Sequence, residues 1–230
     1  MLALFHTFAP IAMHAPTSSL TAPLIGIGRH RIGIDGEGVT TLVGFHGCPL
    51  RCRYCLNPQC KRATGIWQQM SAEQLHELVS KDELYFLATG GGITFGGGEP
   101  LLRADFVAAF CQLMDGMWHI TLETSLNAPT AALRKVMGSV DEYLIDVKDM
   151  NADIYERYTR HTQTRLLRNL QVLADSSMQQ RCVIRLPRIP GYNTAKDRTN
   201  SKKKLEKMGF TRFDTFNYIT QITPHKQQLL

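Results

Sequence analysis

Four of the six cysteines in this chain fall within fourteen residues, GCPLRCRYCLNPQC, at positions 47–60. Cys48, Cys52 and Cys55 have the spacing C-x3-C-x2-C. Three thiolates can hold an iron–sulfur cluster and leave one iron free to bind a substrate. A structural zinc ion would need four ligands, with Cys60 or His46 as the fourth. The spacing alone fits both sites equally well, and it fits a disulfide less well than either.

A glycine-rich segment, GGGITFGGGEP, occupies residues 90–100. Consecutive glycines let the backbone approach a ligand closely, and Glu99 opposes an anion but suits an ammonium group. Further charged or polar residues follow at Glu123, Thr124, Ser125, Asp146, Lys148 and Arg185. Such a set offers carboxylates to a ribose or an amine, and cations to a carboxylate, so it indicates a zwitterionic nucleoside as the ligand.

The composition is typical of one soluble globular domain, with 230 residues, of which 43% are hydrophobic and 20% charged. No stretch has the roughly 18 uncharged apolar residues of a membrane span. Residues 1–23 are apolar but interrupted by prolines, which predicts a loosely ordered arm before a core domain at 24–230. Sparse cysteines indicate a reducing compartment, the cytoplasm. The net charge of +6 forms no long basic block, which argues against nucleic acid as a partner.

Six strands and five helical segments alternate in the predicted secondary structure. Runs rich in β-branched and aromatic residues predict strands within 38–45, 92–95, 119–124, 142–148, 181–190 and 213–219. Amphipathic runs predict helices over 69–80, 103–114, 127–138, 151–175 and 197–208. The first of these helices carries a capping box made by Ser71 and Gln74.

This alternation predicts an α/β fold with a mostly parallel sheet and helices outside it. A closed eight-fold barrel usually takes about 250 residues, so six units indicate an incomplete (β/α)6 barrel with an open side. Chemistry in parallel α/β folds takes place at the carboxyl ends of the strands. Each polar cluster described above falls at such an end, and the cysteines follow the first strand.

The cysteine motif, with Tyr54 before its last cysteine and G-G-E at Gly97 to Glu99, resembles that of radical S-adenosylmethionine (radical SAM) enzymes. The flanking segments DGEGVTTLVGFHGC, DVKDMN and RLPRIPGYN resemble those of the activases of glycyl radical enzymes within that superfamily. The resemblance covers residues from about Gly26 to Ile219. It does not extend to a histidine expected near Ile219, for which His225 is a possible substitute.

The resemblance implies that Cys48, Cys52 and Cys55 hold one [4Fe-4S] cluster, whose free iron binds S-adenosylmethionine (SAM). It also implies a SAM contact for each of Tyr54, Gly97, Gly98, Glu99, Glu123, Asp146, Lys148 and Arg185. Reductive cleavage of SAM to a 5′-deoxyadenosyl radical would follow, with an electron from reduced flavodoxin or ferredoxin and a glycyl radical enzyme as the protein substrate. Two alternatives stay open: a radical SAM enzyme for a small molecule or peptide, and a zinc-stabilised binding module.

Overall fold

The computed structural model describes residues 20–114, 116–218 and 220 of the chain. Within these residues, eight strands and seven α-helices are formed. The strands are β1 (Thr21–Ile32), β2 (Val39–Phe45), β3 (Gln68–Ser71), β4 (Gly92–Gly97), β5 (His119–Thr124), β6 (Glu142–Asp146), β7 (Cys182–Arg188) and β8 (Arg212–Asn217). The helices are α1 (Ala72–Val79), α2 (Glu83–Thr89), α3 (Ala104–Gln112), α4 (Thr130–Val136), α5 (Ala152–Thr159), α6 (Thr164–Asp175) and α7 (Ala195–Glu206).

All eight strands belong to one sheet with the order β3-β1-β2-β4-β5-β6-β7-β8. From β2 to β8 the neighbouring strands are parallel. Over the described residues β3 and β8 are the two edges and do not pair with each other, so the sheet stays open. These six parallel strands are the six predicted ones, and the incomplete barrel is confirmed.

Strand β1 was not predicted. It pairs antiparallel with both β2 and β3, and register shifts after Leu24 and Gly28 interrupt its alternation. It begins at Thr21, inside the predicted arm, whose residues 1–19 lie outside the described part of the chain. Ile219 and His225 also lie outside the described residues.

Polar caps set several helix ends. The predicted capping box at Ser71 is present, with the Ser71 hydroxyl accepting from the Gln74 N–H. The predicted helix 151–175 is two helices, because Arg160 takes a left-handed conformation with φ 58° between them. The predicted start at Asn127 was wrong, since α4 begins at Thr130 and Asn127 is buried. Helix α2 was not predicted either.

The amino end of the sheet is filled by the loop between β1 and β2. Thr94 of β4 donates a hydrogen bond of 2.6 Å to the carbonyl of Asp35 in that loop. Asp35 is buried and forms an ion pair with Arg31. The carboxyl ends of the strands are therefore the accessible end of the half-barrel. No helix among the described residues has the length and apolarity to cross a membrane.

Candidate active site

The cysteine loop begins directly after β2 and lines a cleft at the carboxyl ends of the strands. Cys48, Cys52 and Cys55 are all partly exposed in that cleft. Gly97 and Asn57 also line it, and the Asn57 amide donates to the Gly97 carbonyl at 3.3 Å. The three thiols of the predicted cluster thus face one space.

Backbone hydrogen bonds hold the cysteine loop in place. The N–H groups of Arg51 and Arg53 donate to the carbonyls of Thr159 and Tyr158 at the end of α5, at 2.8 and 3.2 Å. These carbonyls belong to the last turn of a helix, where they have no intrahelical partner. The loop therefore completes the end of α5, and the helix fixes the position of Cys52 between the two arginines.

The glycine turn after β4 packs against the start of the cysteine loop. The Gly98 N–H donates to the Phe45 carbonyl at 2.9 Å, and the Glu99 N–H donates to the Gly47 carbonyl at 2.8 Å. A Cβ atom on Gly98 would lie 2.2 Å from the Gly47 oxygen. Gly97 has φ 84°, which favours glycine. Both glycines are therefore required for the two segments to lie side by side.

Glu99 lies beneath the cleft and is only 1% exposed. Its carboxylate accepts hydrogen bonds from the Leu101 N–H, the Thr124 hydroxyl, and both the N–H and the hydroxyl of Ser125. Burial raises the pKa of Glu99, and these hydrogen bonds from Ser125 and Thr124 oppose the rise. The carboxylate positions the end of β5. Direct contact with a ligand amine stays a prediction.

Four charged side chains form the opposite wall of the cleft. Lys148 Nζ lies 2.9 Å from Asp146 Oδ2, and Arg185 forms an ion pair with Glu123. Burial alone would lower the pKa of Lys148, but its attraction to Asp146 holds the pKa well above the usual value. Burial would likewise raise the pKa of Asp146, and Lys148 and Arg185 together hold it below the usual value. The wall therefore carries both signs of charge at neutral pH.

One carboxylate oxygen in this wall has no hydrogen-bond donor among the described residues. Asp146 Oδ1 is buried and accepts no hydrogen bond within the described residues, although Arg185 Nε is 3.5 Å away. Because this atom is buried, a ligand hydroxyl would reach it only after a neighbouring side chain moved, and the ribose contact of Asp146 stays a prediction.

Two aromatic residues that sequence reasoning missed also line the cleft, Phe216 and Tyr218. Arg185 lies over the Phe216 ring at 5.5 Å, and Lys148 over the Tyr218 ring at 5.4 Å. Positions 216 and 218 are two apart at the end of β8, and residues with that spacing share one face of a strand, so alternation was an available signal. Tyr54 packs on Tyr158 and Tyr192 and does not line the cleft.

Cys60 is buried behind the loop, and its carbonyl accepts from the Gly47 N–H at 2.8 Å. Its thiol contacts Cys55. A hydrogen bond from the Cys60 thiol lowers the pKa of Cys55 to about 6, against burial, while burial raises the pKa of Cys48 to about 12. Cys60 is thus near the predicted ligands but does not line the cleft.

A sequence model of the radical SAM superfamily matches residues 42–199, which include the cysteine loop, the glycine turn and the charged wall. The chain belongs to the radical SAM superfamily. Within it, activating enzymes are similar in sequence. The chain is 30% identical over 207 residues to the pyruvate formate-lyase 2-activating enzyme of Escherichia coli (strain K12), covering 76% of this chain and 70% of that enzyme.

Two further activating enzymes show the same relationship. The (2S)-3-sulfopropanediol dehydratase activating enzyme of Klebsiella oxytoca is 33% identical over 221 residues, with 69% of each chain covered. The pyruvate formate-lyase-activating enzyme of Staphylococcus aureus (strain USA300) is 32% identical over 171 residues, covering 71% of this chain and 67% of that enzyme. The chain is therefore a radical SAM enzyme of the activating type, and the zinc-stabilised binding module was the wrong alternative.

Solved structures share the fold. SuiB of Streptococcus suis, bound to S-adenosylmethionine, superposes with a TM-score of 0.60 at 11% sequence identity. The superposition covers 81% of this chain and 44% of SuiB, so this chain spans less than half of SuiB's length. This similarity supports the half-barrel architecture of the radical SAM core.

The cleft suits the groups that the radical SAM family implies. This fit rests on the donor set, three thiols beside both signs of charge, because the cleft volume in this structure is about 130 Å³, below the ~300–1,000 Å³ of small-molecule sites. Over the described residues no three His, Cys, Asp or Glu side chains converge on one ion, so the three thiols line one cleft without being placed for a metal. Nine predicted site residues line this cleft: Cys48, Cys52, Cys55, Gly97, Gly98, Glu123, Asp146, Lys148 and Arg185.

Proposed function

We propose that the chain holds one [4Fe-4S] cluster on Cys48, Cys52 and Cys55, binds S-adenosylmethionine beside it, and installs a glycyl radical on a partner enzyme. The observation that carries this proposal is the single cleft, in which three thiols face a wall bearing both signs of charge. The names of the related activating enzymes support the protein substrate.

The chain's own residues have distinct tasks in the cleft. Lys148 and Arg185 are the cations in the cleft for a ligand carboxylate, and Asp146 is the carboxylate beside them for a ribose hydroxyl. Gly97 and Gly98 let the backbone approach the ligand without side chains intervening. When bound, the reduced cluster supplies the electron that cleaves S-adenosylmethionine to a carbon radical.

The open side of the half-barrel suits a protein substrate. Since β3 and β8 do not pair in the described part of the chain, a loop of a partner can reach the cleft. The aromatic rings of Phe216 and Tyr218 lie beside the two cations in the cleft and add apolar surface there, which would help to keep water from a reactive radical. A reduced flavodoxin or ferredoxin would be the electron donor.

We assign this activity to the cytoplasm. All six cysteines are free thiols, including Cys111 and the buried Cys182, which are remote from the cleft. Free thiols persist in reducing compartments.

Anaerobic reconstitution tests the proposal. The loaded protein should contain about four irons per chain, because one cubane binds per site. It should release 5′-deoxyadenosine from S-adenosylmethionine under dithionite, and Cys52→Ala should do neither. A glycyl radical spectrum should then appear on a glycyl radical enzyme from the same source. A loaded protein without 5′-deoxyadenosine release would refute the cleavage. Release without a radical on any such enzyme would instead favour a small-molecule or peptide substrate.

A further inference from the structure

The cysteine loop is unusually basic. Residues 46–62, HGCPLRCRYCLNPQCKR, contain Arg51, Arg53, Lys61 and Arg62 and no aspartate or glutamate. All four cations are exposed. None of them takes part in an ion pair within the described residues. The loop therefore presents uncompensated positive charge to solvent.

The end of α5 extends this charge. Arg160 is exposed and follows Thr159, whose carbonyl accepts the Arg51 N–H at 2.8 Å. Glu156, one turn earlier, is the exposed acid of that turn. We name Arg51, Arg53, Lys61, Arg62 and Arg160 the basic collar. The backbones of Arg51 and Arg53 are hydrogen-bonded to the end of α5, so these two charges do not depend on a freely moving loop.

In the other dense basic run of the chain, residues 202–204, Lys203 is exposed and takes part in no ion pair within the described residues, whereas its two neighbours have partners. Lys202 on α7 lies over the Phe213 ring at 5.0 Å and 3.9 Å from Glu206, and Lys204 donates to the Met150 carbonyl at 3.0 Å. The basic collar is the exposed cationic surface that surrounds the cysteine loop.

We propose that the basic collar is the docking surface for an acidic one-electron carrier protein. This inference rests on the proposed function, and it adds the place where the electron enters. Cys52, one of the three proposed cluster ligands, lies between Arg51 and Arg53 in the sequence. A carrier bound to the collar would therefore lie beside the proposed cluster, which is the electron acceptor. Each encounter transfers one electron from the reduced carrier to the site and moves no atoms.

The collar has the properties that such an encounter needs. Electron-transfer complexes are small and short-lived, and complementary charge speeds their formation by about 10- to 1,000-fold. Charges at the rim of an interface act mainly on the association rate and its salt dependence. Exposed arginines and lysines on a fixed backbone, rather than an apolar groove, provide this kind of attraction.

Charge reversal with a matched control tests the proposal. Arg51→Glu with Arg53→Glu changes the net charge by the same amount as Arg165→Glu with Arg168→Glu on α6, where both arginines are exposed. The first measurement is the binding of oxidised flavodoxin to the protein without its cluster. The second is the rate at which reduced flavodoxin loses its electron to the reconstituted protein.

The collar variant should bind flavodoxin at least about tenfold more weakly at low salt, since like charges then face each other. Near 1 M salt, where the screening length is about 3 Å, it should approach the wild type. The α6 variant should stay close to the wild type throughout. Dithionite, which needs no docking surface, should support 5′-deoxyadenosine release equally in all three proteins.

Equal losses of flavodoxin affinity in the collar and α6 variants, or no loss in either, would overturn the proposal. Net charge or another surface would then govern flavodoxin binding. A loss in capture of the glycyl radical enzyme, with flavodoxin binding unchanged, would overturn it in favour of a protein-substrate surface. If the collar variant does not take up iron, Arg160→Glu decides, since it leaves the cysteine loop intact. Failure of dithionite to drive cleavage would refute the proposed function and leave the binding result standing by itself.

Discussion

Gly98→Ala is the substitution whose effect can be worked out most directly from the structure. The new Cβ would lie 2.2 Å from the Gly47 carbonyl oxygen, whereas ordinary contact begins at 3.4 Å. The glycine turn and the cysteine loop must therefore separate by roughly 1 Å. That movement weakens two backbone hydrogen bonds, from the Gly98 N–H to Phe45 and from the Glu99 N–H to Gly47.

Each of these hydrogen bonds contributes about 0.5–1.5 kcal/mol, so the variant should lose about 1–3 kcal/mol of unfolding free energy. In a chain of this size that corresponds to a fall in melting temperature of roughly 2–12 °C. Misplacement of reacting groups by about 1 Å also reduces rates by about 100-fold. We therefore expect slower 5′-deoxyadenosine release at saturating S-adenosylmethionine, beyond any loss of stability.

The assay has three readouts: thermal unfolding without the cluster, iron content after reconstitution, and the rate of cofactor cleavage. Gly138→Ala is the matched control, because a Cβ there meets nothing within 4 Å. It should leave all three readouts unchanged. If Gly98→Ala melts, takes up iron and reacts as the wild type does, the close packing of the two segments has no role in the site, and our reasoning about the glycine turn is wrong.

Further predictions concern the ligand set, the buried carboxylate and acid stability. Cys52→Ala should abolish iron uptake, whereas Cys60→Ala should keep most of it; an iron-free Cys60→Ala protein would make Cys60 a ligand. Glu99→Ala leaves the hydroxyl and N–H donors at the end of β5 without their acceptor, so it should cost about 2–4 kcal/mol and weaken S-adenosylmethionine binding in calorimetry; unchanged stability would contradict this role. Hydrogen bonds from Arg29, one of 2.7 Å, hold the pKa of Asp82 below its usual value against burial. Asp82 therefore stabilises the fold above about pH 4, and this contribution is lost as the pH falls through the lowered pKa. In Asp82→Asn the urea midpoint of unfolding should fall less steeply as the pH is lowered below about 4. An unchanged pH dependence would show that the Arg29–Asp82 ion pair does not contribute to acid stability.

The parallel part of the fold was predictable because each of its strands is a short, strongly β-prone run between amphipathic helices. The strand β5 was predicted with the bounds that the structure shows, His119–Thr124. Strand β1 was not predictable in this way. Its glycines and bulges destroy the alternation on which such a prediction depends. Strand β3, at four residues, is too short to show any period.

The residues of the candidate site also fall into a predictable and an unpredictable group. Residues at or just after the carboxyl end of a strand, such as Asp146 and Lys148, were predictable because parallel strands bring these ends together. Arg185 lies within β7 and still lines the cleft. Tyr54 and Glu99 lie next to cleft residues in sequence but do not line the cleft, and their contacts with the ligand stay predictions. The orientation of Glu99 depends on hydrogen-bond donors that β5 supplies from 25 residues further along the chain. No local pattern carries that information.

An unclosed sheet has a second consequence, which concerns the solution behaviour of the protein. Strand β8 is an edge within the described residues, and an edge strand offers backbone groups to any other extended chain, including another copy of the same protein. Asp214, Thr215 and Asn217 are exposed along it. Antiparallel pairing of two such edges in register about Asp214 would place the two carboxylates opposite each other, where like charges are destabilising. Polar residues on this strand therefore discourage self-association while the entrance stays free for a different polypeptide.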